Sequence, residues 1–162
     1  MPRPLAAVSL ALALLAVAAA AGCKPSTEQT PPAGNVADAL RLPTLDGLPY
    51  DPAALAGKPA IVMFWRTGCK YCLNELPSVA KAAAAHDAAA IAVMINGSQG
   101  AARRLAQDFR GTILVDDGTL RERYDVRKVP YTLILRPDGT AARAFLGEQS
   151  EATLAAAVRA VK

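Results

Sequence analysis

The chain reads as an α/β protein, and three features of the sequence predict it. Two apolar runs of strand length, Ala60-Ile-Val-Met-Phe-Trp65 and Ile91-Ala-Val-Met-Ile95, are separated by a stretch of helical composition from Cys69 to His86. Nearer the C-terminus, two further strand-like runs flank Pro137-Asp138-Gly139, a strong turn sequence. Strands alternating with helices along one chain of this length predict a single sheet covered by helices.

The first residues read as an address. Arg3 gives a thin positive start, Leu5 to Ala20 an unbroken run of small and apolar residues, and Ala20-Ala21-Gly22 small residues ahead of Cys23. That is the layout of a secretory signal, assigned to residues 1–22. The segment from Lys24 to Ala37 is rich in Pro, Ser and Thr and has little apolar surface to bury. It predicts a flexible tether over residues 23–37 with a reach of about 20 Å. The folded domain is assigned to residues 38–162.

Within that domain, Ala39 to Pro43 and Leu48 to Tyr50 flank Asp46-Gly47 and predict a small hairpin. The two apolar runs fit strands buried on both faces, because no polar residue alternates with the apolar ones. Between them Leu73, Leu76, Val79, Ala80 and Ala83 share one helical face, and Pro77 falls inside the helix, where it is expected to kink it. A second helix is expected from Ala101 to Phe109, a strand from Thr112 to Val115 and a short helix near Leu120 to Tyr124. Strands at Tyr131 to Arg136 and Ala141 to Leu146 follow. Ser150 serves as N-cap of the last helix, which carries Leu154, Val158 and Val161 at helical spacing.

The net charge of +4 is scattered rather than blocked, with no aromatic residues interleaved, so nucleic acid is set aside as a partner. The three cysteines are one pair, Cys69 and Cys72, plus the isolated Cys23. One CxxC with no second pair and no nearby histidine is a poor zinc site, and no metal is assigned. The pair sits instead at the turn from a buried strand into a helix. There the free N–H groups and positive dipole end of the helix favour a thiolate on the first sulfur, and thiolate is the reactive species. Cys69 is therefore expected to be the exposed attacking sulfur. Cys72, one turn in, is expected to resolve the mixed disulfide. The dithiol is itself the redox group, so no cofactor is implied.

Trp65-x-x-x-Cys69-x-x-Cys72-x-x-Glu75-x-Pro77, followed downstream by Val129-Pro130-x-Thr132, resembles the TlpA/ResA family of extracytoplasmic thioredoxin-like proteins. Leu42-Pro43-x-Leu45-Asp46-Gly47 and Leu55-x-Gly57-Lys58-Pro59 extend the likeness over Leu40 to Val161. The resemblance implies a thioredoxin-like fold, a central mixed β-sheet flanked by helices, with an N-terminal β-hairpin and a central insertion that Ala101 to Tyr124 supplies. It implies that Cys69 and Cys72 form the redox disulfide. It places Pro130 as a cis-proline beside the CxxC, with Val129 and Pro130 offered to substrate; Trp65 is read as packing in the core or at the active-site rim, with substrate contact as the second role. It also puts a carboxylate, Glu75, near the disulfide; one turn past Cys72 in the helix, Glu75 is expected to take the Cys72 proton. In thioredoxin proper that acid lies on the preceding strand, at the position held here by Met63. Gly68 and Lys70-Tyr71 depart from the family's usual large residue before the first cysteine and proline within the pair.

Cys23 directly after Ala-Ala-Gly resembles the lipobox of bacterial lipoproteins, with Ala20 where leucine is usual. That likeness implies lipidation at Cys23 and a domain tethered to a membrane on the periplasmic side of the cell envelope. The family resemblance further implies protein substrates such as apocytochrome c or copper-site proteins, and a membrane thiol carrier as electron donor. Two rival readings exist. A peroxiredoxin-type peroxide reductase wants Pro-x-x-x-Thr-x-x-Cys, but Val62 and Arg66 stand at those positions. A copper-delivery lipoprotein wants CxxxC and a distal histidine, and His86 is the sole histidine, inside a helix.

Overall fold

A computed structural model describes residues 27–162. The signal segment and Cys23 lie outside the described residues. Six strands form one mixed sheet in the order β1-β6-β5-β2-β3-β4. They are β1 (Thr27–Gln29), β2 (Ala60–Arg66), β3 (Ala89–Asn96), β4 (Thr112–Val115), β5 (Tyr131–Leu135) and β6 (Ala141–Leu146). The helices are α1 (Lys70–Ala85), α2 (Gln99–Leu105), α3 (Thr119–Arg123) and α4 (Glu151–Arg159). Strands β2, β3 and β4 run parallel, and β5, β6 and β1 are added antiparallel.

The central strand shows why an unbroken apolar run folds as it does. Every residue from Ala60 to Trp65 is buried. Ile61, Met63 and Trp65 point into a core closed by Leu76 and Val79 of α1 and Leu154 and Val158 of α4. Val62 and Phe64 point the other way, onto Leu40, Leu55, Leu120 and Leu133. The period of two therefore serves two cores rather than a core and solvent. The helices begin where the sequence marks them: Ser98 accepts from Ala101 N–H, and Ser150 accepts from Thr153 N–H. With its cap at Ser98, α2 starts two residues earlier than the apolar spacing suggested and ends at Leu105. Pro77 lies within α1, which continues through it to Ala85. The proline has no N–H for the carbonyl of Leu73, so one internal bond is missing there.

Two expectations are corrected. The tether assigned to residues 23–37 is not a coil over its described part. Thr27–Gln29 adds to the free edge of β6, Glu28 receives both Nε and Nη2 of Arg143, and Val36 and Ala37 are buried. Three polar residues carry no apolar signal, but an exposed strand edge with open N–H and C=O groups accepts almost any extended partner. The N-terminal hairpin closes only as a loop. Thr44 N–H bonds the Leu48 carbonyl, Tyr50 N–H bonds the Leu42 carbonyl, and Pro43 faces Pro49 in a single bridge. Two prolines opposite one another remove two ladder donors, so no longer ladder forms.

Candidate active site

The site is built where β2 ends and α1 begins. Cys69 is the N-cap of α1, with an extended backbone, and its Sγ lies 3.1 Å from the N–H of Cys72. Sulfur thus takes the acceptor role that a serine or aspartate oxygen plays at an ordinary helix start. No acidic side chain lies in the first turn to oppose a negative charge on it. Cys69 and Cys72 are joined as a disulfide, with their Cα atoms 5.2 Å apart.

Across from the pair, the Val129–Pro130 peptide is cis, and the Val129 carbonyl oxygen stands 3.8 Å from Cys69 Sγ. The loop carrying it leads straight into β5, which pairs with β2, so one register fixes both halves of the site. On the other flank Gly97, at φ +128°, comes so close to Thr67 that a Cβ there would overlap the threonine hydroxyl. Glycine is required at this close approach between the end of β3 and the active-site turn. Gly68 has open space where its Cβ would be.

Glu75 lies one turn beyond Cys72 and is wholly buried. Its Oε1 accepts from Thr132 Oγ1 at 2.6 Å and its Oε2 from the backbone N–H of Gln149 at 3.0 Å. Thr132 is the register partner of Met63, so the carboxylate descends from α1 onto the strand pair where thioredoxin itself has its acid. Burial pushes the Glu75 carboxyl up to about 7; the two hydrogen bonds pull against that, and Glu148 nearby adds to it.

The raised value fixes a pH dependence of stability. The folded protein holds the Glu75 proton more tightly than the unfolded chain, whose carboxyl titrates at 4.5. Stability therefore falls as pH rises from about 4.5 to about 7, by up to about 3 kcal/mol, and stays lower above that. Glu75→Gln keeps an acceptor for Gln149 and removes the charge. In urea titrations of the oxidised protein, the variant is expected to gain on wild type by about 1–3 kcal/mol above pH 7. The gain should shrink toward zero below pH 4.5. A difference that is constant across pH contradicts the buried, proton-holding carboxyl.

Of the residues picked from the sequence, Cys69, Cys72, Val129 and Pro130 converge. Cys69 is only 7% exposed, more covered than an attacking sulfur was expected to be, though Cys72 is covered completely. For Trp65 the packing role holds and the substrate-contact role is corrected: it is fully buried in the core beneath α1 and presents no surface to a substrate. His86 sits past the far end of α1 as its C-cap, and Asp116 and Asp117 bond the backbone N–H groups of α3. Sequence reasoning missed Gln149 and the part played by Thr132. Thr132 stood in the downstream motif without an assigned task, and nothing in the sequence singled out Gln149.

The chain is 37% identical over 101 residues to the soluble secreted antigen MPT53 of Mycobacterium tuberculosis, a match that covers 60% of this chain and 58% of that protein. The chain thus spans little more than half the length of that relative. Among solved structures it resembles a secreted M. tuberculosis disulfide oxidoreductase homologous to E. coli DsbE. The TM-score is 0.65 and the identity 32%, over 75% of this chain and 96% of the other. A second likeness is to M. tuberculosis DsbF, solved in mixed oxidised and reduced forms, with TM-score 0.67 and 28% identity over 75% of this chain and 93% of that one. These neighbours agree with the thioredoxin-like fold and with the extracytoplasmic oxidoreductase likeness that the motifs carry. The AhpC/TSA family model matches residues 33–151, from before the first buried turn to the opening residue of α4, and the chain belongs to that family.

Proposed function

We propose that this protein is an extracytoplasmic thiol–disulfide oxidoreductase that reduces disulfides in envelope proteins, apocytochrome c or copper-site proteins being suitable substrates. The observation that carries the proposal is Cys69 as a helix N-cap, its sulfur beside the Cys72 N–H and the Val129 carbonyl. In the dithiol form the Cys69 thiolate attacks a substrate disulfide; one S–S bond forms as another breaks, and a substrate thiolate leaves. Cys72 then attacks Cys69 and releases the second substrate sulfur, so two electrons pass from the dithiol to the substrate. Cys72 has no exposed surface, so its proton needs an acceptor inside the protein. Glu75, one turn away and balanced near neutrality, takes that role in this reading. The dithiol is the whole redox group and no cofactor enters.

A membrane thiol carrier returns the protein to its reduced form, and Cys23 carries the lipid that holds it to the membrane. Support for an address outside the cytoplasm comes from the secreted relative and from the signal-like residues 1–22. No helix among the described residues is long and apolar enough to cross a membrane.

The test is equilibration of the protein against glutathione and dithiothreitol buffers, with the Cys69 and Cys72 thiols counted by alkylation. A reversible two-electron couple between about −270 and −220 mV is expected for a reductase. A value near about −120 mV reverses the direction, to a donor of disulfides. Absence of any reversible couple overturns the oxidoreductase reading.

A further inference from the structure

Beside the disulfide, beyond the ends of β2 and β3, a cleft of about 320 Å³ opens. Its wall includes Arg66, Asn96, Arg121, Arg127, Lys128 and Val129, and no carboxylate. Four cations gathered around one hollow repel one another, a cost that an internal acid would ordinarily offset. Only Arg127 has such a partner, Asp125 at 2.6 Å. Arg66, Arg121 and Lys128 are exposed and enter no ion pair among the described residues. Asp116 accepts from the N–H groups of Leu120 and Arg121, while Glu122 and Asp125 line a neighbouring hollow that Arg121 and Arg127 share.

The placement of Arg66 is built into the sheet. Trp65 pairs with Met94, but Arg66 pairs with Asn96, so the register slips by one residue at this point. Such an irregularity re-aims a side chain at the end of a strand. It sets Arg66 and Asn96 together on the cleft wall. Val129 belongs both to this wall and to the disulfide's surroundings, since its carbonyl is the group 3.8 Å from Cys69 Sγ. Val129 therefore links the cleft to the reacting sulfur. A polypeptide whose cysteine meets Cys69 has its neighbouring residues directed toward these cations.

We propose that the cleft selects substrate polypeptides with aspartate or glutamate residues close to the target disulfide. Arginine forks match carboxylates in a two-bond geometry, and three unpaired cations at the rim steer an acidic segment to the sulfur. The proposal rests on the disulfide-exchange reading above and adds its specificity.

Two disulfide-bearing peptides serve as probes, identical except that the acidic residues beside the cysteines of one are the corresponding amides in the other. The reduced full chain is expected to reduce the acidic peptide with about tenfold higher kcat/KM at low ionic strength. The ratio should fall toward one in about 0.5 M salt, where the Debye length is only a few ångströms. The triple variant R66Q/R121Q/K128Q should bring the ratio toward one without added salt. A wild-type ratio of one, a ratio insensitive to salt, or a triple variant that keeps the preference overturns the proposal. If both peptides are reduced equally, only the specificity fails. If neither is reduced, the underlying oxidoreductase reading fails with it.

Discussion

Cys69→Ala is expected to lower the rate of disulfide exchange by a factor on the order of a thousand or more, because it removes the one sulfur among the described residues placed to attack. Cys72→Ala should behave differently. It leaves the first attack possible and removes the sulfur that ends it, so the enzyme is expected to stall as a stoichiometric mixed disulfide. The asymmetry follows from burial and position: Cys72 is fully covered, while Cys69 caps the helix and faces the Val129 carbonyl. Rates with a disulfide peptide check the first variant, and intact-mass analysis checks the second. Equal losses in both, with no trapped species, contradict the order of attack.

This part of the site was legible because its chemistry is local. A CxxC after a buried strand can hardly be anything but the start of the next helix, and Val129-Pro130 before a strand marks the loop that faces it. What was illegible depended on residues far apart in the chain. Thr27–Gln29 is polar throughout, and its strand exists because β6 has an open edge and Arg143 stands opposite Glu28. Glu75 shares the helix face of Cys72, Leu76 and Val79, so its burial was implicit in the spacing, but its partners at 132 and 149 come from other elements. The basic cleft joins residues from the end of β2, from α3 and from the loop before Pro130, and no charge run in the sequence announces it.

Trp65→Ala is expected to appear in stability rather than in substrate binding, with a loss of about 3–5 kcal/mol. Trp65 sits on the same strand face as Ile61 and Met63, under α1 and α4, and has no exposed surface. Its indole N–H has no hydrogen-bond partner. Trp65→Phe keeps most of the apolar contact and removes that unpaired donor, so it should cost no more than about 1 kcal/mol. Urea midpoints of the three proteins, with KM for a disulfide peptide measured where each is folded, give the comparison. A raised KM with unchanged stability in the phenylalanine variant contradicts the buried role and returns Trp65 to the substrate surface.

In the proposed reaction Cys69 is the attacking nucleophile because the fold puts it at the N-cap of α1. The most direct measurement uses reduced Cys72→Ala produced without the lipid, so that its Cys23 thiol is free, mixed with a disulfide peptide, quenched at intervals and mapped by mass spectrometry. Cys23 acts as an internal reference thiol in the same chain. The peptide is expected to appear on Cys69 first, at least about tenfold faster than on Cys23, since a helix N-terminus holds the Cys69 thiolate. Labelling of the two at equal rates, or of Cys23 alone, contradicts it.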